Sequence, residues 1–154
     1  MPDASVLLDT SGLFASLDPN DPHYFRARAF LRRQRGPLVV ADTVFSEAMT
    51  LIKGRLGSQA AVTVGTRLLS TSTFSFYRLT DEDAELTWRI FTRYTDKEWS
   101  YVDCSLLALS RRLDVEQVFA FTTSPKWRNS VWRVFLSSYH FLRGSHVPSS
   151  PLYP

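Results

Sequence analysis

Three acids in this chain sit where their chemistry matters: Asp9, Glu47 and Asp103. Asp9 closes a short apolar run, Val6–Leu8, and is followed by two hydroxyls, Thr10 and Ser11. A strand that ends on an acid delivers it to the carboxyl rim of an α/β sheet, where ligands bind. The alternative is that Asp9 only N-caps the next helix. At helical spacing Val44, Glu47, Ala48, Leu51 and Arg55 share one stripe, so Glu47 projects from the side that should pack. An unpaired buried carboxylate is costly and calls for a partner, a metal or a proton; the alternative is a glutamate at the stripe's margin reaching water. Ser100-Tyr-Val-Asp103 reads as a capping box, and Trp99, Asp103, Leu106, Leu107 and Ser110 lie along one side of the helix it starts. Asp103 is therefore either a cap partner or a site residue facing inward at a helix start.

Carboxylates brought together repel one another unless a cation joins them. An oxygen-only donor set suits Mg²⁺ or Mn²⁺, ions that keep several waters and commonly serve phosphate chemistry. A bound divalent ion polarises a phosphate and lowers the pKa of an attacking water. Other chemistries lack their residues: there is no G-x-S-x-G elbow and no Walker lysine loop, and His23, His140 and His146 show no ligand spacing. The lone cysteine, Cys104, reads as a small buried hydrophobe and rules out an internal disulfide, as suits a reducing cytosol.

The elements that must position these acids follow in order. After the first strand, Gly12–Leu17 reads as a short helix stopped at Asp18-Pro19. Asp21-Pro22 reads as an N-cap for a helix to about Gln34, with Phe25, Ala29 and Phe30 inward and the arginines outward. Leu38–Ala41 is a second strand, and Asp42-Thr43 opens a helix over Val44–Leu56 closed by Gly57. A helix over Ser58–Leu69 and a strand over Phe74–Leu79 come next, followed by a Thr80–Asp83 capping box whose helix carries Ala84, Trp88 and Phe91 inward. The helix Tyr101–Leu113 and a strand at Val118–Phe121 complete the alternation. That order predicts an α/β fold, three layers with a central parallel sheet of four to five strands covered by helices on both faces. Within the remainder, Val131–Leu136 reads as an edge strand or a helix.

The chain has 154 residues, 44% hydrophobic and 14% aromatic, enough for one core and one domain. Its pI of 9.2 suggests nucleic-acid binding, but the charge is uneven. Residues 1–121 hold 14 Lys/Arg and all 15 Asp/Glu, whereas residues 122–154 hold four basic residues and no acid. We therefore divide the chain into a body over 1–121 and an atypical segment over 122–154, read as a divergent last strand and a flexible tail. Within the body Arg26, Arg28, Arg32, Arg33 and Arg35 form a cluster that either contacts phosphate as one stripe or is a solvated helix face. No run is long enough to span a membrane, and the N-terminus lacks the basic start of a signal peptide, so the expected location is the cytoplasm.

The segments VLLDTSGLFASLDPNDPHYFRA, LVVADTVFSEAMTLI and SYVDCSLLALSRRLDVEQVFAF together resemble successive blocks of the PIN domain, most closely the VapC-type toxins of prokaryotic toxin–antitoxin pairs, over about residues 5–121. The resemblance implies a Mg²⁺- or Mn²⁺-dependent ribonuclease for single-stranded RNA, a homodimer blocked by a cognate antitoxin. It gives Asp9 and Asp103 the role of metal ligands and has Glu47 help hold the ion or position the water; Thr10 matches the hydroxyl that supports the first acid. One departure stands out: where the family usually carries a fourth acid, this chain has Thr122. The competing expectation is thus a catalytically weakened PIN-like module that binds antitoxin or RNA without efficient cleavage. A haloacid dehalogenase-like phosphatase would need a second acid two places after the first, where Ser11 stands.

Overall fold

In the computed structural model, which describes residues 5–70, 72–121 and 132–133, strands and helices alternate along the chain. The elements are β1 (Val6–Leu8), α1 (Thr10–Ala15), α2 (Tyr24–Arg33), β2 (Leu38–Ala41), α3 (Asp42–Leu56), α4 (Ser58–Ser70), β3 (Phe74–Tyr77), α5 (Asp81–Arg93), α6 (Tyr101–Arg112), β4 (Gln117–Phe119) and β5 (Trp132–Arg133). They form one sheet in the order β3-β2-β1-β4-β5. The first four strands are parallel, as the alternation predicts. β5 pairs antiparallel to β4, with Val118 opposite Trp132, so Trp132–Arg133 within the expected Val131–Leu136 stretch form an edge strand, while the rest of that stretch lies outside the described residues.

Strand residues are divided between two cores by their period of two. Val6, Leu8, Leu38, Val40 and Phe119 point to one face, where Leu13, Ala27, Ala48, Ile52 and Leu68 cover them. Leu7, Val39, Ala41 and Val118 point to the other, against Leu106 and Leu109 of α6. Both faces are therefore buried, which explains why β1 and β2 read as unbroken apolar runs. Phe119 is fully buried and stacks on Phe30 with centroids 4.4 Å apart; truncating a buried phenylalanine to alanine costs about 3–5 kcal/mol.

Two helices face differently from the sequence expectation. Phe25 is 79% exposed, and Ala27 is the residue α2 buries. The helix starts at Tyr24 because the Asp21 carboxylate accepts the His23 N–H at 2.7 Å, closing a turn around Pro22 before the helix begins. In α5 the buried residues are Asp83, Thr87 and Ile90, while Trp88 and Phe91 are exposed. The helix is turned by one position, about 100°, because Asp83 is drawn inward by Arg112 and Tyr77. Among the described residues no helix is long and apolar enough to cross a membrane.

Candidate active site

The chain leaves β1 toward β2 and β3 on one side, then crosses to β4 on the other, so the strand order reverses between β1 and β4. Such a reversal opens a crevice beyond the carboxyl ends of the two strands. Asp9 lies there: its N–H donates to the Phe119 carbonyl of β4 at 3.0 Å. Its side chain also caps α1, accepting the Ser11 N–H at 3.0 Å, so the cap and the rim position are both real. The Ser11 hydroxyl donates to the same Asp9 oxygen and accepts the Phe121 N–H at 3.0 Å, tying the acid to the end of β4. Gly12 permits this approach, since a Cβ there would stand 2.4 Å from the Phe119 carbonyl oxygen.

Glu47 and Asp103 are placed differently from what the helical stripes suggest. Both are exposed. Val44, Ala48 and Ile52 form the buried row of α3, which leaves Glu47 at its margin. There its carboxylate accepts the Thr10 hydroxyl at 2.5 Å, linking α3 to the start of α1. Asp103 completes the capping box, its carboxylate accepting the Ser100 N–H at 2.7 Å while Ser100 Oγ accepts the Asp103 N–H. The row behind it, Cys104 to Ser110, is buried throughout. The helices bearing the two acids are joined where Thr43 Oγ1 and Ser105 Oγ lie 2.7 Å apart. Ser105 spends its own hydrogen on the Val102 carbonyl, which makes Thr43 the donor.

The electrostatics follow from this convergence. Burial raises the Asp9 carboxyl from 3.8 to about 6; the Ser11 hydrogen bonds hold it back, and the charges of Asp103 and Glu47 push it further up. Cys104, 1% exposed, has its thiol pushed up to about 11 by burial and then by Asp103, which removes it as a nucleophile. Among the described residues no three His, Cys, Asp or Glu side chains are gathered into a ready-made metal cage. The carboxylate oxygens and the raised Asp9 fit a hydrated Mg²⁺ or Mn²⁺, which is held by one or two carboxylates and its own waters.

Sequence reasoning did not place His23 or Phe121 at this rim. The His23 ring stacks on Phe121 with centroids 4.6 Å apart, and the Arg26 guanidinium lies 5.8 Å from the same ring. Arg26 thus borders the site, while Arg28 lies 5.5 Å from the Tyr24 ring; Arg26, Arg28, Arg32 and Arg33 are all exposed. The hydroxyl pair after Asp9 was the only local signal for Ser11, and nothing in the sequence marked Phe121 as its partner. Thr122 lies outside the described residues.

Residues 6–122 match the PIN domain family. The chain belongs to that family. This PIN domain is similar to the 23S rRNA-specific endonuclease VapC20 of Mycobacterium tuberculosis, 26% identical over 116 residues that cover 75% of this chain and 88% of the relative. Its fold matches the crystal structure of VapC20, described as a Sarcin-Ricin loop cleaving toxin, with a TM-score of 0.72 at 23% identity over 76% of this chain and 89% of that one. A toxin–antitoxin complex from Klebsiella pneumoniae matches with a TM-score of 0.54 at 18% identity over 73% and 82% of the two chains. FitAcB from Neisseria gonorrhoeae matches at 0.55 and 17% identity over 71% and 83%.

Proposed function

We propose that this PIN domain is a divalent-metal-dependent endoribonuclease that cleaves single-stranded RNA and acts as the toxin of a toxin–antitoxin pair. The observation that carries the reading is Asp9 at the β1–β4 crevice, with Glu47 tied to the neighbouring Thr10 and the Asp9 carboxyl raised by burial and then by the charges of Asp103 and Glu47. The likeness to VapC20, named as an rRNA endonuclease, supports the reaction class. A bound Mg²⁺ or Mn²⁺ polarises the scissile phosphate and lowers the pKa of the attacking water.

In this reading Asp9 and Asp103 are the metal ligands, and Glu47 helps hold the ion or orients the water. Thr10 fixes the Glu47 carboxylate by its hydrogen bond, and Ser11 fixes that of Asp9. Arg26, Arg28, Arg32 and Arg33 contact phosphates along the strand. A cognate antitoxin covers the site, in keeping with the toxin–antitoxin complex among the structural neighbours; the toxin is a cytoplasmic homodimer.

The test is cleavage of matched single-stranded and duplex RNA with Mg²⁺, with Mn²⁺ and with chelator. Metal-dependent cuts confined to the single strand are expected; cleavage that survives chelation would sink the reading. Thr122 favours the second reading, a weakened module that acts by occupancy. Thr122→Asp should raise cleavage about 10–100-fold if the position supports the metal's waters; equal rates in parent and variant would make the fourth acid dispensable.

A further inference from the structure

An open groove of about 610 Å³ runs between α3 and α6, with Glu47 in its lining. Thr43, Ser46 and Thr50 line one wall; Leu51 and Val102 supply apolar surface; Tyr101 stands on the α6 side. Glu47 belongs to both places, lining the groove while its carboxylate accepts the Thr10 hydroxyl next to Asp9. Tyr101 is 38% exposed and lies two positions before Asp103. Its ring meets Phe91 edge-on at 5.8 Å, and Phe91 stacks on Trp88 at 5.9 Å. All three rings are exposed, so an aromatic surface extends from the groove across α5.

We propose that this groove is the pocket for an unpaired nucleobase of the RNA substrate, the one adjoining the phosphate at the acids, with Tyr101 as its stacking platform. The inference rests on the ribonuclease reading and adds where the base goes. A nucleobase offers two apolar faces and a polar edge. The groove offers an aromatic ring and aliphatic side chains for the faces, and hydroxyls that can donate or accept for the edge. No lysine or arginine lines it. Beside three carboxylates, stacking supplies affinity for an RNA chain that charge does not. An unpaired base is required because a base held in a duplex has both faces covered, so the pocket also selects single strands.

Tyr101 binds the base alike before and during the reaction, so its loss acts on KM and not on kcat. Tyr101→Ala should raise KM for single-stranded RNA about 10-fold with kcat within about twofold, while Tyr101→Phe stays near the parent. An oligonucleotide lacking the base at each position flanking the cut should bind parent and Tyr101→Ala equally weakly. As a measurement on the unmutated protein, 2-aminopurine placed at those positions should be quenched on binding. Unchanged KM in Tyr101→Ala, an equal loss on the abasic strand, or an unquenched 2-aminopurine would each overturn the pocket while leaving the ribonuclease reading intact. A parent that neither binds nor cleaves RNA overturns both.

Discussion

The same capping box opens α5 and α6, and the two copies come to opposite ends. In each, a hydroxyl residue at the cap accepts the N–H of an aspartate three positions on, and that aspartate's carboxylate accepts the cap's N–H. Asp83 of the first box is fully buried. Its carboxylate accepts from Arg112, from Tyr77 at 2.8 Å and from the Thr80 N–H at 2.9 Å. Burial pushes its carboxyl up, but these hydrogen bonds outweigh it and leave the pKa lowered. Asp103 of the second box is exposed and, among the described residues, has no cation paired with it; its charge instead adds to the burial that raises the Asp9 pKa. Asp83 is held by a cation inside the fold, whereas Asp9, Glu47 and Asp103 are held by neutral donors, which in the proposed function leaves their charge for a metal. The local motif tells the two apart no more than a cap tells where a helix will be placed.

The comparison breaks most sharply if the two aspartates are neutralised in turn. Asp103→Asn should cut metal-dependent cleavage by about 100-fold or more while the melting temperature stays within about 2 °C, since an asparagine still caps. Asp83→Asn should do the reverse, lowering the melting temperature by on the order of 10 °C with cleavage per folded molecule kept, because a charged partner of Arg112 is lost from the interior. Melting curves paired with cleavage rates decide it; if both variants lose stability and activity in parallel, the two acids do the same job and the distinction fails.

A smaller effect is expected one layer out. Thr10→Val removes the hydroxyl that Glu47 accepts from and should lower cleavage about 10-fold by freeing that carboxylate, the usual scale for a group that orients a metal's partner. An unchanged rate would leave Glu47 positioned by something else.

The smallest effect belongs to α2. Reversing Arg26, Arg28, Arg32 and Arg33 to glutamate should weaken RNA binding and flatten its dependence on salt, because each phosphate contact releases counterions. Equal salt slopes would return them to a solvated helix face.

Much of this architecture was legible because it is local. Apolar runs marked β1 and β2, Gly57 closed α3, and both capping boxes could be read from four residues each. What could not be read spans the chain. Arg112 reaches Asp83 across 29 positions and thereby rotates α5, which put Trp88 and Phe91 outside where the pattern had placed them inside. Phe121 reaches Ser11 across 110 positions. Glu47 and Asp103 were singled out for lying on packing stripes, yet both are exposed. Glu47 is tied to the rim through Thr10, the residue after Asp9, and Asp103 acts on Asp9 through its charge, relations across the chain that no single helix displays.

The proposed function has a cation offset the charge of a buried Asp9 beside Asp103 and Glu47, and melting the protein with and without metal tests it. Its folded pKa, about 6 against 3.8, is raised, so its contribution favours the fold below about pH 4 and is lost as pH rises through 6. Metal-free parent should therefore melt lower at pH 7 than Asp9→Asn, by on the order of 5 °C. Adding Mn²⁺ should raise the parent's melting temperature and leave that of Asp9→Asn where it was. A metal-free Asp9→Asn less stable than the parent, with Mn²⁺ raising both proteins alike, would contradict the account.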